Sequence, residues 1–180
     1  MASTPTRLMT FEEFEQLPTP TDGRLELRHG QIVKTAPLIY DHFLIQQILR
    51  DLLDRAAAGR GRAYTRLGFR GLTNGEYWIA RVAYVSKERW VRQEPEGYFD
   101  GAPDLVVEIL SPSNTAAEIA DKRTLCLETG CREFWTLDIG KRRIDVSTPG
   151  GHTITYKAGQ EIPLFFGGRI PVDAIFSEGA

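Results

Sequence analysis

Short runs of alternating polar and apolar residues fill most of this chain, and three stretches of helical period interrupt them. The first helix begins at a capping box, Thr10-Phe11-Glu12-Glu13, with Thr10 as N-cap. Met9 and Phe14 stand where a hydrophobic staple would form. Phe11, Phe14 and Leu17 make its apolar stripe, and Pro18 and Pro20 end it. Arg24-Leu25-Glu26-Leu27-Arg28 then alternates, His29-Gly30 turns the chain, and Gln31 to Thr35 returns it, which predicts a β-hairpin. A long helix is predicted from about Asp41 to Ala58, burying Ile45, Ile48, Leu49, Leu52 and Ala56 and ending at Gly59 and Gly61.

Tyr64 to Leu72 and Tyr77 to Val85 read as two strands joined through Asn74-Gly75. Pro95, Gly97 and Gly101 mark a loop before the most apolar strand, Asp104 to Leu110. Thr115 with Glu118 offers a second capping box for a helix running to Gly130, and Phe134-Trp135-Thr136-Leu137 is another buried strand. Ile144 to Thr148 and Thr153 to Lys157 flank Gly150-Gly151, and Pro163 and Pro171 interrupt the later segments. This order predicts an α+β or mixed α/β fold, a single domain over residues 1–180 around one central sheet flanked by helices.

Composition narrows the class. The 180 residues are 42% hydrophobic and 26% charged, ordinary for a soluble domain, and the length suffices for a core without disulfide or metal staples. No stretch approaches the roughly 18 consecutive apolar residues of a membrane span, so no membrane partner is expected. Met1 to Arg7 lack the apolar run of a secretory signal, which makes a cytoplasmic location the expectation. Cys126 and Cys131 fit neither a zinc ribbon nor a disulfide framework, and reduced thiols are expected.

Charge changes the picture locally. The 22 basic and 24 acidic residues give a net charge of −2, against a surface that grips nucleic acid throughout. Yet Arg55, Arg60, Arg62, Arg66 and Arg70 follow one another with no acid between Asp54 and Glu76, and Tyr64 and Phe69 are interleaved. Arg60, Arg62, Arg66 and Arg70 are therefore candidate contacts to DNA phosphates. The competing reading is that Arg60 and Arg62 merely follow a helix C-terminus, where cations are favourable.

Glu108 is the odd residue of its strand. Leu105, Val107 and Ile109 share one face, while Asp104, Val106, Glu108 and Leu110 share the other. A carboxylate within so apolar a strand is costly unless it is paired, hydrogen-bonded or bound to metal. A structural ion pair and a metal ligand both satisfy that condition. Ser111-Pro112-Ser113 reads equally as an ordinary turn or a phosphate-contacting loop.

These residues carry a resemblance. Pro103-Asp104-Leu105-Val106-Val107-Glu108-Ile109-Leu110-Ser111-Pro112-Ser113, then Lys122, then Gly130-Cys131-Arg132-Glu133-Phe134-Trp135-Thr136-Leu137-Asp138, resembles the Uma-type putative restriction endonuclease family. The likeness extends upstream to Met9 to Phe14, Arg24 to Leu27, Gly30 and His42, and downstream to Ile175-Phe176. It implies the restriction endonuclease-like PD-(D/E)xK fold, DNA as substrate, and Mg²⁺ or Mn²⁺ as cofactor. It further implies Glu108 as metal-binding acid and Lys122 as the lysine that has migrated from the position now held by Leu110. Glu26 matches another acidic position, and His42 a frequent histidine. Taken alone, Lys122 is also readable as a solvated helix lysine and Glu26 as half of a strand ion pair. Nucleases of this fold often cut both strands as homodimers, though no interface motif is visible here.

The departures from the family pattern matter as much. Where the family has Pro-Asp on the strand after the second hairpin, this chain has Ala80-Arg81. A ligand of charge −1 thus becomes a fixed +1, and arginine does not ligate Mg²⁺. Asp104 shares a strand face with Glu108 and is the other candidate metal ligand, but lies roughly 13 Å away along an extended strand. Cys126 replaces a tyrosine that could have supported Lys122. Arg81 is expected to fold into the vacated site and pair with Glu108, with nuclease activity lost or weakened. The alternative class is an inactive relative that binds DNA or protein.

Overall fold

The computed structural model describes residues 7–21, 23–35, 40–71, 73, 75–94, 97–111 and 114–177. The capping box closes as expected, Thr10 and Glu13 bonding reciprocally to start α1 (Phe11–Glu15). His29 (φ 49°) and Gly30 (φ 73°) both adopt the left-handed conformation that a two-residue turn requires between β1 (Arg24–Arg28) and β2 (Gln31–Thr35). The long helix α2 spans Tyr40–Ala57, but its buried face is His42, Ile45, Gln46, Leu49, Leu53 and Ala57. Relative to the predicted stripe the helix is rotated, because two polar residues occupy inward positions that an apolar pattern assigns to water.

β3 (Gly61–Arg70) and β4 (Tyr77–Ser86) form the predicted antiparallel pair, although Asn74 of its turn lies outside the described residues. The stretch read as loop contains α3 (Lys87–Trp90), capped by Ser86, and β5 (Phe99–Asp100). β6 (Leu105–Ile109) follows, then α4 (Ala116–Glu128) with its Thr115–Glu118 capping box, and β7 (Glu133–Asp138). β8 (Arg143–Ser147), β9 (Thr153–Lys157), a small pair β10 (Glu161–Pro163) and β11 (Arg169–Pro171), and α5 (Val172–Ile175) complete the chain.

The main sheet runs β2-β1-β4-β6-β7-β8-β9, with β3 on the second edge of β4 and β5 beside β3. Among the described residues only β6–β7 and the short β3–β5 contact are parallel, so the sheet is mixed and flanked by helices, as the resemblance implies. One face packs Leu105, Val107 and Ile109 against α2 and α5. The opposite face gathers Trp78, Ala80, Val106 and Phe134 with Cys126 and Ile119 of α4. Both cysteines are free and buried, and burial pushes the Cys131 thiol up to about 12. No helix among the described residues is long and apolar enough to cross a membrane.

Two irregularities position everything that follows. β3 covers one edge of β4, while the other edge is shared by β1 at Tyr77 and β6 at Val82 to Tyr84. Between them the edge from Ile79 to Arg81 faces no strand. In addition, the β3–β4 register skips one pair, where Arg66 (φ 59°) stands opposite Arg81. Trp78 and Ala80 face α4 before that point, and Ala83 and Val85 after it, so the alternation slips by one residue.

Candidate active site

Buried main-chain groups need hydrogen-bond partners, and three side chains provide them along the uncovered edge of β4. Ile79 N–H donates to Oε1 of Glu26 (3.1 Å), Ile79 C=O accepts from Nζ of Lys122 (2.7 Å), and Arg81 N–H donates to Oε1 of Glu108 (3.3 Å). The elements deliver these side chains for simple reasons. Glu108 alternates with Val107 and Ile109, buried on the α2 face, and so points toward α4, where Lys122 also comes within 3.8 Å of Glu26. Lys122 and Cys126, one helical turn apart, are the buried residues of α4. Three of the predicted site residues, Glu26, Glu108 and Lys122, therefore meet in one place.

The meeting is an ion cluster. Lys122 Nζ lies 2.8 Å from Glu108 Oε1 and 3.8 Å from Glu26 Oε1, with all three side chains no more than 6% exposed. Arg28, two residues beyond Glu26 on the same strand face, places Nε and Nη2 at 2.8 and 2.6 Å from Glu26 Oε2 and reaches Glu118 on α4 at 3.1 Å. Trp78 forms the floor, its ring 4.9 Å from the Arg28 guanidinium carbon and 5.8 Å from Lys122 Nζ. Burial alone would raise the Glu26 carboxyl, but Lys122 and Arg28 outweigh it and hold the group below its usual range. Burial likewise opposes the Lys122 ammonium, and Glu108 with Glu26 overcomes it, so Lys122 stays charged. At neutral pH it is a fixed cation rather than a proton acceptor.

The expected Arg81–Glu108 salt bridge is not formed. Glu108 faces α4, where Lys122 meets it, and only the main-chain N–H of Arg81 touches its carboxylate. Among the described residues the Arg81 guanidinium makes no ion pair; it lies close enough to His42 on α2 and to Arg66 on β3 to depress the pKa of both, after burial. The structure does not bring Asp104 to Glu108 either. Asp104 precedes β6, accepts a hydrogen bond from Ser86 N–H at 2.8 Å and sits 3.9 Å from Arg89. Its role there is to tie β6 to the end of β4 and the start of α3. His42 belongs to the α2 face with Arg81, away from the ion cluster.

The arginine run disperses. Arg60 Nη2 donates to Ala56 C=O at the end of α2, and Arg70 covers the Phe11 ring at 4.4 Å. Arg62 is exposed on β3, and only Arg66 turns into a cleft. Sequence reasoning missed Arg28, although its spacing of two from Glu26 on a strand already predicts a shared face. It also gave His29 no role. In the structure His29 Nδ1 lies 2.8 Å from Glu76 and Nε2 lies 2.8 Å from Asp121, joining the β1–β2 turn to α4. The bond to Asp121 is the main cause that raises the His29 pKa above its ordinary 6.5. Glu76, a buried acid, also accepts from the Trp78 indole N–H.

A divalent cation fits this arrangement poorly. Mg²⁺ needs a near-octahedral set of oxygens, usually including one or two carboxylates free to turn toward it. Here Lys122 occupies the space between Glu26 and Glu108, Arg28 holds the other oxygen of Glu26, and Arg81 stands where the family carries an acid. Among the described residues no group of three or more His, Cys, Asp or Glu side chains could hold a metal ion.

The fold has a solved counterpart. A crystal structure of a putative nuclease belonging to DUF820 from Anabaena variabilis superposes with a TM-score of 0.81 at 20% identity, over 93% of this chain and 97% of that one. No curated protein matches the sequence. Residues 11–168, nearly the whole sheet and the entire ion cluster, match the Uma2 family, described as putative restriction endonucleases. The restriction endonuclease-like architecture, the PDLVVEILSPS strand ending and that match agree: the chain belongs to the Uma2 putative restriction endonuclease family.

Proposed function

We propose that this protein is a restriction endonuclease-like domain whose metal-dependent DNA cleavage is silenced, and which acts by binding nucleic acid. One observation carries the reading: the Lys122 ammonium, 2.8 Å from Glu108 and 3.8 Å from Glu26, is the cation that sits between the two acids. Phosphodiester hydrolysis in this fold calls for a metal to offset the charge on phosphate and to lower the pKa of the attacking water. With Lys122 seated between the cluster's two carboxylates and Arg81 in place of a further acid, a metal beside Glu108 would have to displace a fixed cation. What remains is a structural unit that closes the gap in the sheet.

Incubating the protein with supercoiled plasmid and Mg²⁺ or Mn²⁺ tests this. The expected result is no nicking above a no-protein control. Nicking that EDTA abolishes and Glu108→Gln removes would overturn it. A second reading, a weak nuclease using Glu108, is favoured by one feature: Glu108 Oε2 accepts no hydrogen bond among the described residues.

A further inference from the structure

The α2 face of the same gap has the opposite charge. Arg66 and Arg81 stand opposite each other at the skipped β3–β4 pair, and Arg24 lies at the rim where β1 leaves β4. A cleft of about 490 Å³ opens here, lined by Arg24, Arg66, Leu25, Tyr77, Ile79 and Leu17. Buried on α2, His42 lies close to Arg81. Burial, then Arg24 and Arg81, lowers the Arg66 pKa. Glu15, at the cleft's edge, is engaged with the Tyr98 hydroxyl. Of the five buried side-chain polar atoms without a partner among the described residues, one, Nε of Arg66, belongs to a residue that lines this cleft.

Gathering like charges is unfavourable, and so is a left-handed arginine, which costs about 1–2 kcal/mol relative to a right-handed one. Such features persist at sites built for a ligand, and half-buried guanidinium groups recognise one chemistry above others. Arginine presents rigid, planar N–H donors that match the oxygens of phosphate. We infer that the mouth of this cleft binds a phosphate group, free or within a nucleic acid, without a metal ion, through Arg66, which lines it, and Arg81, which stands beside Arg66 outside the lining. This deepens the silenced-nuclease reading and rests on it: the residue that removes the metal's acid also helps to build an anion site.

The test is titration of inorganic phosphate into the full chain in EDTA, followed by NMR of the Arg66 Nε–H and the His42 ring. Saturable shifts are expected. Arg66→Gln and Arg81→Gln should each weaken binding at least about tenfold, the scale of one lost charged hydrogen bond. Arg169→Gln, on the exposed β10–β11 pair, should change nothing, and Arg81→Lys, which keeps the charge but not the planar donors, should fall between the unmodified protein and Arg81→Gln. Circular dichroism checks that each variant is folded. A 5′-phosphorylated oligonucleotide compared with its 5′-hydroxyl twin identifies the source. Preference for the former marks a terminal phosphate, and equal, phosphate-competed binding marks the backbone. No saturable shift, or binding indifferent to both glutamine variants, overturns the inference. A parallel Mg²⁺ titration separates the two failures: silent Mg²⁺ with absent phosphate binding refutes only the anion site, whereas tight Mg²⁺ binding refutes the silenced reading itself.

Discussion

The two sides of one gap in the sheet differ in how their charges are answered. Toward α4, Glu26 and Glu108 are met by Lys122 and Arg28, and each also bonds an otherwise unpaired main-chain N–H of β4. Toward α2, Arg66 and Arg81 face each other, and Arg81 makes no ion pair among the described residues. The first side resembles a finished structural joint, and the second resembles a site awaiting an anion. A single substitution on β4 links them, since an acid at position 81 would have drawn a cation to this gap while an arginine repels one. On the proposed reading, charge balance at one strand position would turn a catalytic fold's centre into scaffold on one face and receptor on the other.

The largest expected effect comes from breaking the balanced side. Lys122→Met leaves two buried carboxylates without their shared cation and should destabilise the fold by about 3–5 kcal/mol, read from urea unfolding. Adding Glu108→Gln to that variant should recover part of the loss, because the uncompensated charge goes with it. Full additivity of the two losses would show that Lys122 and Glu108 are not coupled.

Acid should attack the same side next. Glu26 is held below its ordinary value of 4.5 in the folded state, so its contribution is present above that value and lost as pH falls through the folded pKa. Stability measured by chemical denaturation should therefore drop as pH is lowered below about 4.5, and Glu26→Gln should flatten that drop. An unchanged profile in the variant would mean that Glu26 is not ionised in the cluster.

On the other side a substitution can stabilise. Arg66→Gly removes both the left-handed strain at φ 59° and one of the crowded charges. It should raise stability by about 1 kcal/mol, read as a higher melting temperature, while removing phosphate binding. A lower melting temperature would show that Arg66 is held by favourable packing instead.

The smallest effects are carried by two histidines that report the two sides separately. His29, bound between Asp121 and Glu76, should titrate above 6.5 by NMR, and His42, buried beside Arg81, below it. Because the His29 pKa is raised on folding, its stabilisation is complete below 6.5 and fades as pH rises through the folded pKa. That side chain is 59% exposed, so the effect on global stability is small. Arg81→Gln should move His42 upward and leave His29 in place. Equal movement of both would erase the distinction between the faces.

Much of this was legible in the sequence. Both capping boxes, the His29-Gly30 turn, the major strands and the oddity of Glu108 follow from local rules, and the family pattern singled out Glu26, Lys122 and Arg81. What was not legible depends on a long-range event. The skipped Arg66–Arg81 pair reverses strand alternation, and no pattern within either strand announces it. The predicted Arg81–Glu108 bridge fails because Ala80 faces α4, so the next side chain on β4 turns to the α2 face while Glu108 faces α4. Lys122 could be placed in the cluster only through the resemblance, because helix period alone leaves a lysine in water. Gln46 escaped because inward polar positions on α2 contradict the apolar stripe that defined the helix.

Calorimetric titration of Mg²⁺ and Mn²⁺ into the unmodified protein and into Arg81→Asp is the most direct test of silencing by charge reversal. The unmodified protein should show no saturable heat, and the variant, with the fixed +1 at this gap replaced by −1, should bind. Tight binding by the unmodified protein, or none by a folded Arg81→Asp, would contradict the assignment of that loss to Arg81.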